Sequence, residues 1–62
     1  MTLEEAVDSA KRKRDAFSID THVLRNNDGT YFSVLDFSLK LMLEYQNQFD
    51  KTIYYTAWNL KK

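Results

Sequence analysis

Four consecutive cations, Lys11-Arg12-Lys13-Arg14, and a single histidine, His22, are the residues of this 62-residue chain whose types could do chemistry. A basic run can grip phosphate, and a histidine can move a proton or ligate a metal. Each needs company to do so. A nucleophilic triad requires a hydroxyl or thiol, a base and an orienting acid, and His22 is the only His. With no Cys and no second His, no ligand set for a soft metal ion can be written. The residues around Asp28 lack the ligand series of a calcium loop, and the lone Gly29 cannot make a glycine-rich phosphate cradle. His22 therefore reads as a half-buried or exposed cross-strand residue. The chain is expected to be a non-enzyme without catalytic residues, metal or cofactor.

The basic run has to be judged on the element that carries it. Thr2 and Glu5 have the spacing of a capping box, and Leu3, Ala6, Val7, Ala10 and Phe17 recur at three- and four-residue steps. This predicts an N-terminal helix with Glu4, Glu5 and Asp8 near its positive end and the four cations at its negative end. Asp8 with Arg12 and Lys11 with Asp15 are i, i+4 pairs. Successive helix residues are about 100° apart, so Lys11 to Arg14 fan around the axis instead of tracking one phosphate backbone. The arrangement suits a helix end completing its own dipole better than a nucleic-acid grip.

Ser18 to Val34 reads as a β-hairpin. Asn26-Asn27-Asp28-Gly29 fits a type I turn closed by a glycine bulge, which pairs Asn26 with Thr30, Leu24 with Phe32 and His22 with Val34. In the stretch Leu35 to Asp50, Leu35, Phe37, Leu39, Leu41, Leu43 and Tyr45 alternate with Asp36, Ser38, Lys40, Met42 and Glu44 like a strand, yet the stretch contains no β-branched residue and is rich in helix formers. Leu35, Leu39, Met42, Leu43, Gln46 and Phe49 also share a helical face, and Ser33 or Asp36 can cap its start. A helix is predicted here, with a bent β-meander after the first helix as the alternative. Lys51 to Leu60 is β-forming, with Ile53, Tyr55 and Ala57 on one side and Tyr54, Thr56, Trp58 and Leu60 on the other. Lys61 and Lys62 are expected in water. The order α-β-β-α-β gives a small α+β domain over residues 1–62, with a three-stranded, mainly antiparallel sheet and both helices packed on one face.

At this length the core is thin and packing alone must hold it, since no disulfide is available. The material is present: hydrophobic residues make up 44% and aromatics 15%, which excludes disorder. No signal-peptide pattern or apolar run of membrane-spanning length occurs, so a cytoplasmic protein without a membrane partner is expected. Nine basic and nine acidic residues balance, whereas a dedicated nucleic-acid binder usually carries excess positive charge.

With chemistry set aside, surfaces remain. The nine aromatics exceed what one small core needs, and Tyr31, Tyr45, Tyr54, Tyr55 and Trp58 combine an apolar ring with a polar tip. The expected function is a protein-binding module that occupies a surface of a larger enzyme or complex. Chains of this kind are carried by phages and mobile elements, some of which inhibit host or defence proteins. The contact candidates are Tyr31, Tyr54 and Trp58 with Lys11, Arg12, Lys13 and Arg14, and a homodimer is a second way to cover such a surface. The alternative is a nucleic-acid-binding accessory protein using the basic run, with Arg25 and stacking by Tyr31 or Trp58. The hairpin-helix-strand order over Thr21 to Leu60, with its Asp28-Gly29 turn, is similar to that of one family of small phage inhibitors of uracil-DNA glycosylase. That resemblance implies an inhibitor but carries over no residue, and those inhibitors are acidic where this chain is neutral.

Overall fold

The computed structural model describes residues 1–45 and 49–59. Its elements run α1 (Leu3–Phe17), β1 (Thr21–Asn26), β2 (Tyr31–Leu35), α2 (Asp36–Tyr45) and β3 (Phe49–Ala57). This is the α-β-β-α-β order expected. The three strands form one antiparallel sheet in the order β2-β1-β3. α2 therefore carries the chain across β1, from one sheet edge to the other.

Local chemistry sets the ends of these elements. Thr2 and Glu5 form the capping box: the Glu5 N–H donates to Thr2 Oγ1 at 3.2 Å and the Thr2 N–H to Glu5 Oε1 at 3.0 Å. α1 stops at Ser18, which takes the left-handed conformation (φ 54°) and donates its N–H to the Arg14 carbonyl at 2.7 Å. In the hairpin the Asn26 N–H donates to Thr30 O at 2.7 Å, Gly29 has φ 93°, and Leu24 lies opposite Phe32 and His22 opposite Val34. The bulged type I turn and its register are as the sequence predicts.

The helices do not share a face of the sheet. Adjacent strand residues point to opposite sides, and Val23 and Leu24 are each fully buried in different clusters. Val23 packs with Ala57 and with Ala6 and Ala10 of α1, joined by Val7, Tyr31 and Tyr55. Leu24 packs with Val34, Phe49 and Leu39 of α2, joined by Phe32 and Met42. α1 thus covers one face and α2 the other. The reason lies in β1: Thr21 to Leu24 are buried without a break, so this central strand needs apolar cover on both sides. Ala6 and Ala10, lacking bulk, let α1 approach its face closely.

Boundaries also differ from expectation: β3 runs Phe49–Ala57 and not Lys51 to Leu60, so Trp58 follows the strand instead of lying within it. α2 starts at Asp36 and ends at Tyr45, so Ser33 belongs to β2 and Phe49 opens β3 instead of continuing the helix. Gln46, Leu60, Lys61 and Lys62 lie outside the described residues. In β3 the pairs Val23–Tyr55 and Arg25–Asp50 bracket a bulge, across which β1 advances two residues and β3 five. Such a bulge re-aims side chains, which accounts for Tyr54 leaving the simple alternation: its ring meets Tyr31 edge-on at 5.4 Å on the α1 side.

Both sheet edges are blunted. Residues 31 and 33 of β2 direct their backbone groups away from β1, because the turn places the paired hydrogen bonds at 32 and 34. The Tyr31 N–H donates to Met1 O at 2.9 Å, and Lys13 Nζ donates to Ser33 O at 3.0 Å. On the other edge the β3 bulge interrupts the ladder. These are devices that discourage edge-to-edge pairing with another chain.

Candidate functional site

The structure separates the residues that the sequence proposes as contacts. Lys13 reaches over β2 to the Ser33 carbonyl, beside a Ser9–Ser33 hydroxyl pair at 2.8 Å. Arg14 pairs with its neighbour Asp15 at 3.0 Å, and neither Asp8–Arg12 nor Lys11–Asp15 is among the ion pairs of the described residues. Lys11 and Arg12 stay exposed. Arg12 lines an open groove of about 310 Å³ beside α1 with Met1, Glu5, Asp8 and Ser9. Of the four cations, Lys13 ties α1 to β2 and Arg14 pairs with its exposed sequence neighbour, while Lys11 and Arg12 lie about 100° apart around the helix. Both groove carboxylates would repel phosphate.

Tyr31 and Tyr54 come together, but Trp58 does not join them. Tyr31 is half-buried against the α1 cluster. Tyr54, 40% exposed, stacks on its edge and donates its hydroxyl to Asp50 Oδ2 at 2.7 Å. The Thr52 N–H donates to Asp50 Oδ1 at 3.0 Å, so Asp50 holds the bulge from within. These bonds act on the titration of both partners. The Tyr54 hydroxyl, with the Thr52 amide, holds the Asp50 carboxyl below its ordinary range, and the Asp50 carboxylate pushes the Tyr54 phenol up. Trp58 follows the opposite end of β3, 59% exposed, next to Asn59. Asn59 pins that end: its N–H donates to Asp20 Oδ1 and its side-chain amide to Ser18 O, both at 2.6 Å. Phe17, one residue before Ser18, is also 59% exposed.

His22 is the cross-strand residue expected, but its burial and its partners were missed by sequence reasoning. It is 6% exposed, not a surface residue, and both ring nitrogens are engaged. Nδ1 lies 2.9 Å from Thr56 Oγ1 and Nε2 lies 2.7 Å from Asp36 Oδ1. Asp36 also faces Lys40 Nζ at 3.6 Å. A hydroxyl, an imidazole and a carboxylate in series have the order of an acyl-transfer relay. Here the hydroxyl belongs to the neighbouring strand across a register pair, His22–Thr56, so the trio ties β1, β3 and α2 together. No buried side-chain polar atom among the described residues lacks a partner, and no group of three or more His, Cys, Asp or Glu among them could hold a metal ion. The signal that could have found the trio is the hairpin register: His22 opposite Val34 leaves Asp36 two residues on, at the helix start that folds back over the same face.

The aromatics divide cleanly. Phe32, Phe49, Tyr31 and Tyr55 belong to the two clusters, whereas Phe17, Phe37, Tyr45, Tyr54 and Trp58 are exposed. Leu41, Leu43 and Ile53 are exposed as well. No protein-family model, curated protein or solved structure matches this chain. No helix among the described residues is long and apolar enough to cross a membrane.

Proposed function

We propose that this domain is a non-enzymatic protein-binding module that acts by occupying a surface of a larger enzyme or complex. Small proteins encoded by phages or mobile elements to inhibit host or defence proteins work in this way. One observation carries the reading: five of the nine aromatics remain exposed although helices already cover both sheet faces. Those rings cannot be accounted for as core. Exposed Trp and Tyr are the side chains that gain most from desolvation against a partner. Trp58 with Phe17 at one end, and Tyr54 with Ile53 on the β3 bulge, are the contact surfaces. The nucleic-acid alternative is weakened by the diversion of Lys13 and Arg14 to Ser33 and Asp15.

Affinity capture from the native host, comparing the wild-type chain with Trp58→Ala, tests the reading. Trp58 is exposed and its truncation should leave the circular-dichroism spectrum and thermal midpoint unchanged. At least one protein should be recovered by the wild type and lost, by roughly tenfold or more, by Trp58→Ala and by Tyr54→Ala. Identical recovery by all three chains would overturn the assignment of these surfaces. Loss of folding in Trp58→Ala would place the ring in the core instead.

A further inference from the structure

The outward side of α2 carries a feature that neither the core nor the Trp58 and Tyr54 surfaces use. Leu39 seats the helix on the sheet and Met42 packs beside it. At the opposite side Phe37, Leu41 and Tyr45 follow one another at four-residue steps, exposed by 54%, 54% and 75%. An i, i+4, i+8 row is one of the ridges by which helices interlock. Beside it, on a single flank, stand Lys40 and Glu44, both exposed and one turn apart.

We propose that α2 is the interface of a symmetric homodimer in which two copies pack this helix antiparallel. Leu41 lies at the two-fold axis, Phe37 meets Tyr45 of the second copy, and Lys40 meets Glu44 of the second copy. The charges choose this occupant and this direction. A two-fold perpendicular to the helix reverses the order of residues along the partner helix. It brings the same flank of each copy face to face, so Lys40 meets Glu44 twice. A parallel two-fold would bring opposite flanks together, so Lys40 and Glu44 would find no opposite charge across the seam. The polar side of α2 also argues against a membrane surface, because Asp36 and Glu44 outnumber Lys40 and would be repelled by anionic lipid. The edges of the sheet offer no competing route, since Met1, Lys13 and the β3 bulge blunt them.

Area sets the strength. The ridge of Phe37, Leu41 and Tyr45 presents on the order of 350 Å² per copy, which is below the size of stable specific interfaces and in the range of weak, transient ones. The dimer is accordingly weak, with a Kd on the order of a hundred micromolar. The proposal does not depend on partner binding by Trp58 or Tyr54.

Sedimentation equilibrium of the full chain over a concentration series reads the equilibrium directly. The wild type should pass from monomer to dimer. Leu41→Glu, placed on the axis of an exposed ridge, should keep the helical spectrum and raise Kd by about a hundredfold or more. Lys40→Glu and Glu44→Lys should each raise Kd about tenfold, since each reversal is felt at two symmetric contacts. The double reversal should restore the wild-type value. A chain that stays monomeric at millimolar concentration overturns the proposal. So does a dimer indifferent to Leu41→Glu, or one in which the double reversal is no better than the singles. Capture of a foreign protein by this ridge while the chain itself stays monomeric likewise overturns it, in favour of a heterologous partner.

Discussion

Both nitrogens of the His22 ring are occupied, and the partners belong to different elements, Thr56 in β3 and Asp36 at the start of α2. This single side chain therefore couples the central strand to an edge strand and to the helix that crosses it. The hydrogen bond from His22, with a lesser contribution from Lys40, holds the Asp36 carboxyl below its ordinary range. A carboxyl whose folded-state pKa is depressed favours the folded chain above the unfolded value, and that contribution is lost as pH falls through the folded one. Glu5, held down by Thr2, Asp28, held down by Thr30, and Asp50, held down by Tyr54, have the same sign. Stability should thus fall as pH drops below about 4, and Asp36→Asn should make that fall shallower without abolishing it. Urea midpoints measured from neutral to acid pH give the two slopes, and parallel curves would show that Asp36 plays no part. The Asp36 half of this trio follows from the hairpin register, whereas Thr56 is brought to His22 by a strand order that local patterns do not specify. Fully legible is the capping box, whose two partners are three residues apart.

Local elements are legible in the sequence wherever a turn or cap fixes them. Asn26-Asn27-Asp28-Gly29 forms the turn its residues favour, with Asp28 Oδ1 accepting from the Thr30 N–H at 3.0 Å and from its hydroxyl at 2.6 Å. Gly29 is the one residue there with positive φ, at 93°. A Cβ at this position would meet only the flexible tip of Arg25 at 3.4 Å, so the backbone conformation and not crowding decides its cost. Gly29→Ala should lower stability by about 1 kcal/mol, which for a domain of this size is a drop in thermal midpoint of about 4–8 °C. A differential scan compares the two chains, and an unchanged midpoint would mean the turn tolerates a left-handed alanine. α2 was harder to read, since Leu35 to Tyr45 satisfies both a two-residue and a helical period. Its residue types resolved the choice, but its side of the sheet did not follow from them. That information sat in Thr21-His22-Val23-Leu24 and Tyr31-Phe32, where apolar or buried residues occupy both strand faces and each face demands a helix.

At the scale of the whole molecule, charge balance and the fate of the basic run decide how the chain meets nucleic acid. The formal net charge is zero, so no long-range field draws in a polyanion. Lys13 spends its ammonium on the open edge of β2 and Arg14 on Asp15, which leaves Lys11 and Arg12 as the free members of the run. Two phosphate contacts release few counterions. Raising salt from about 50 to 200 mM should then weaken any binding by no more than about tenfold, where four engaged cations would lose more than a hundredfold. Fluorescence anisotropy with labelled single- and double-stranded oligonucleotides measures this slope. The informative variant is Lys11→Ala/Arg12→Ala, because replacing Lys13 would also unmask the β2 edge and confuse binding with self-association. A shallow salt slope that Lys11→Ala/Arg12→Ala removes is the expected residue of non-specific contact. A steep slope would mean that Lys13 and Arg14 leave Ser33 and Asp15 on binding, and the basic run would then be a nucleic-acid surface after all.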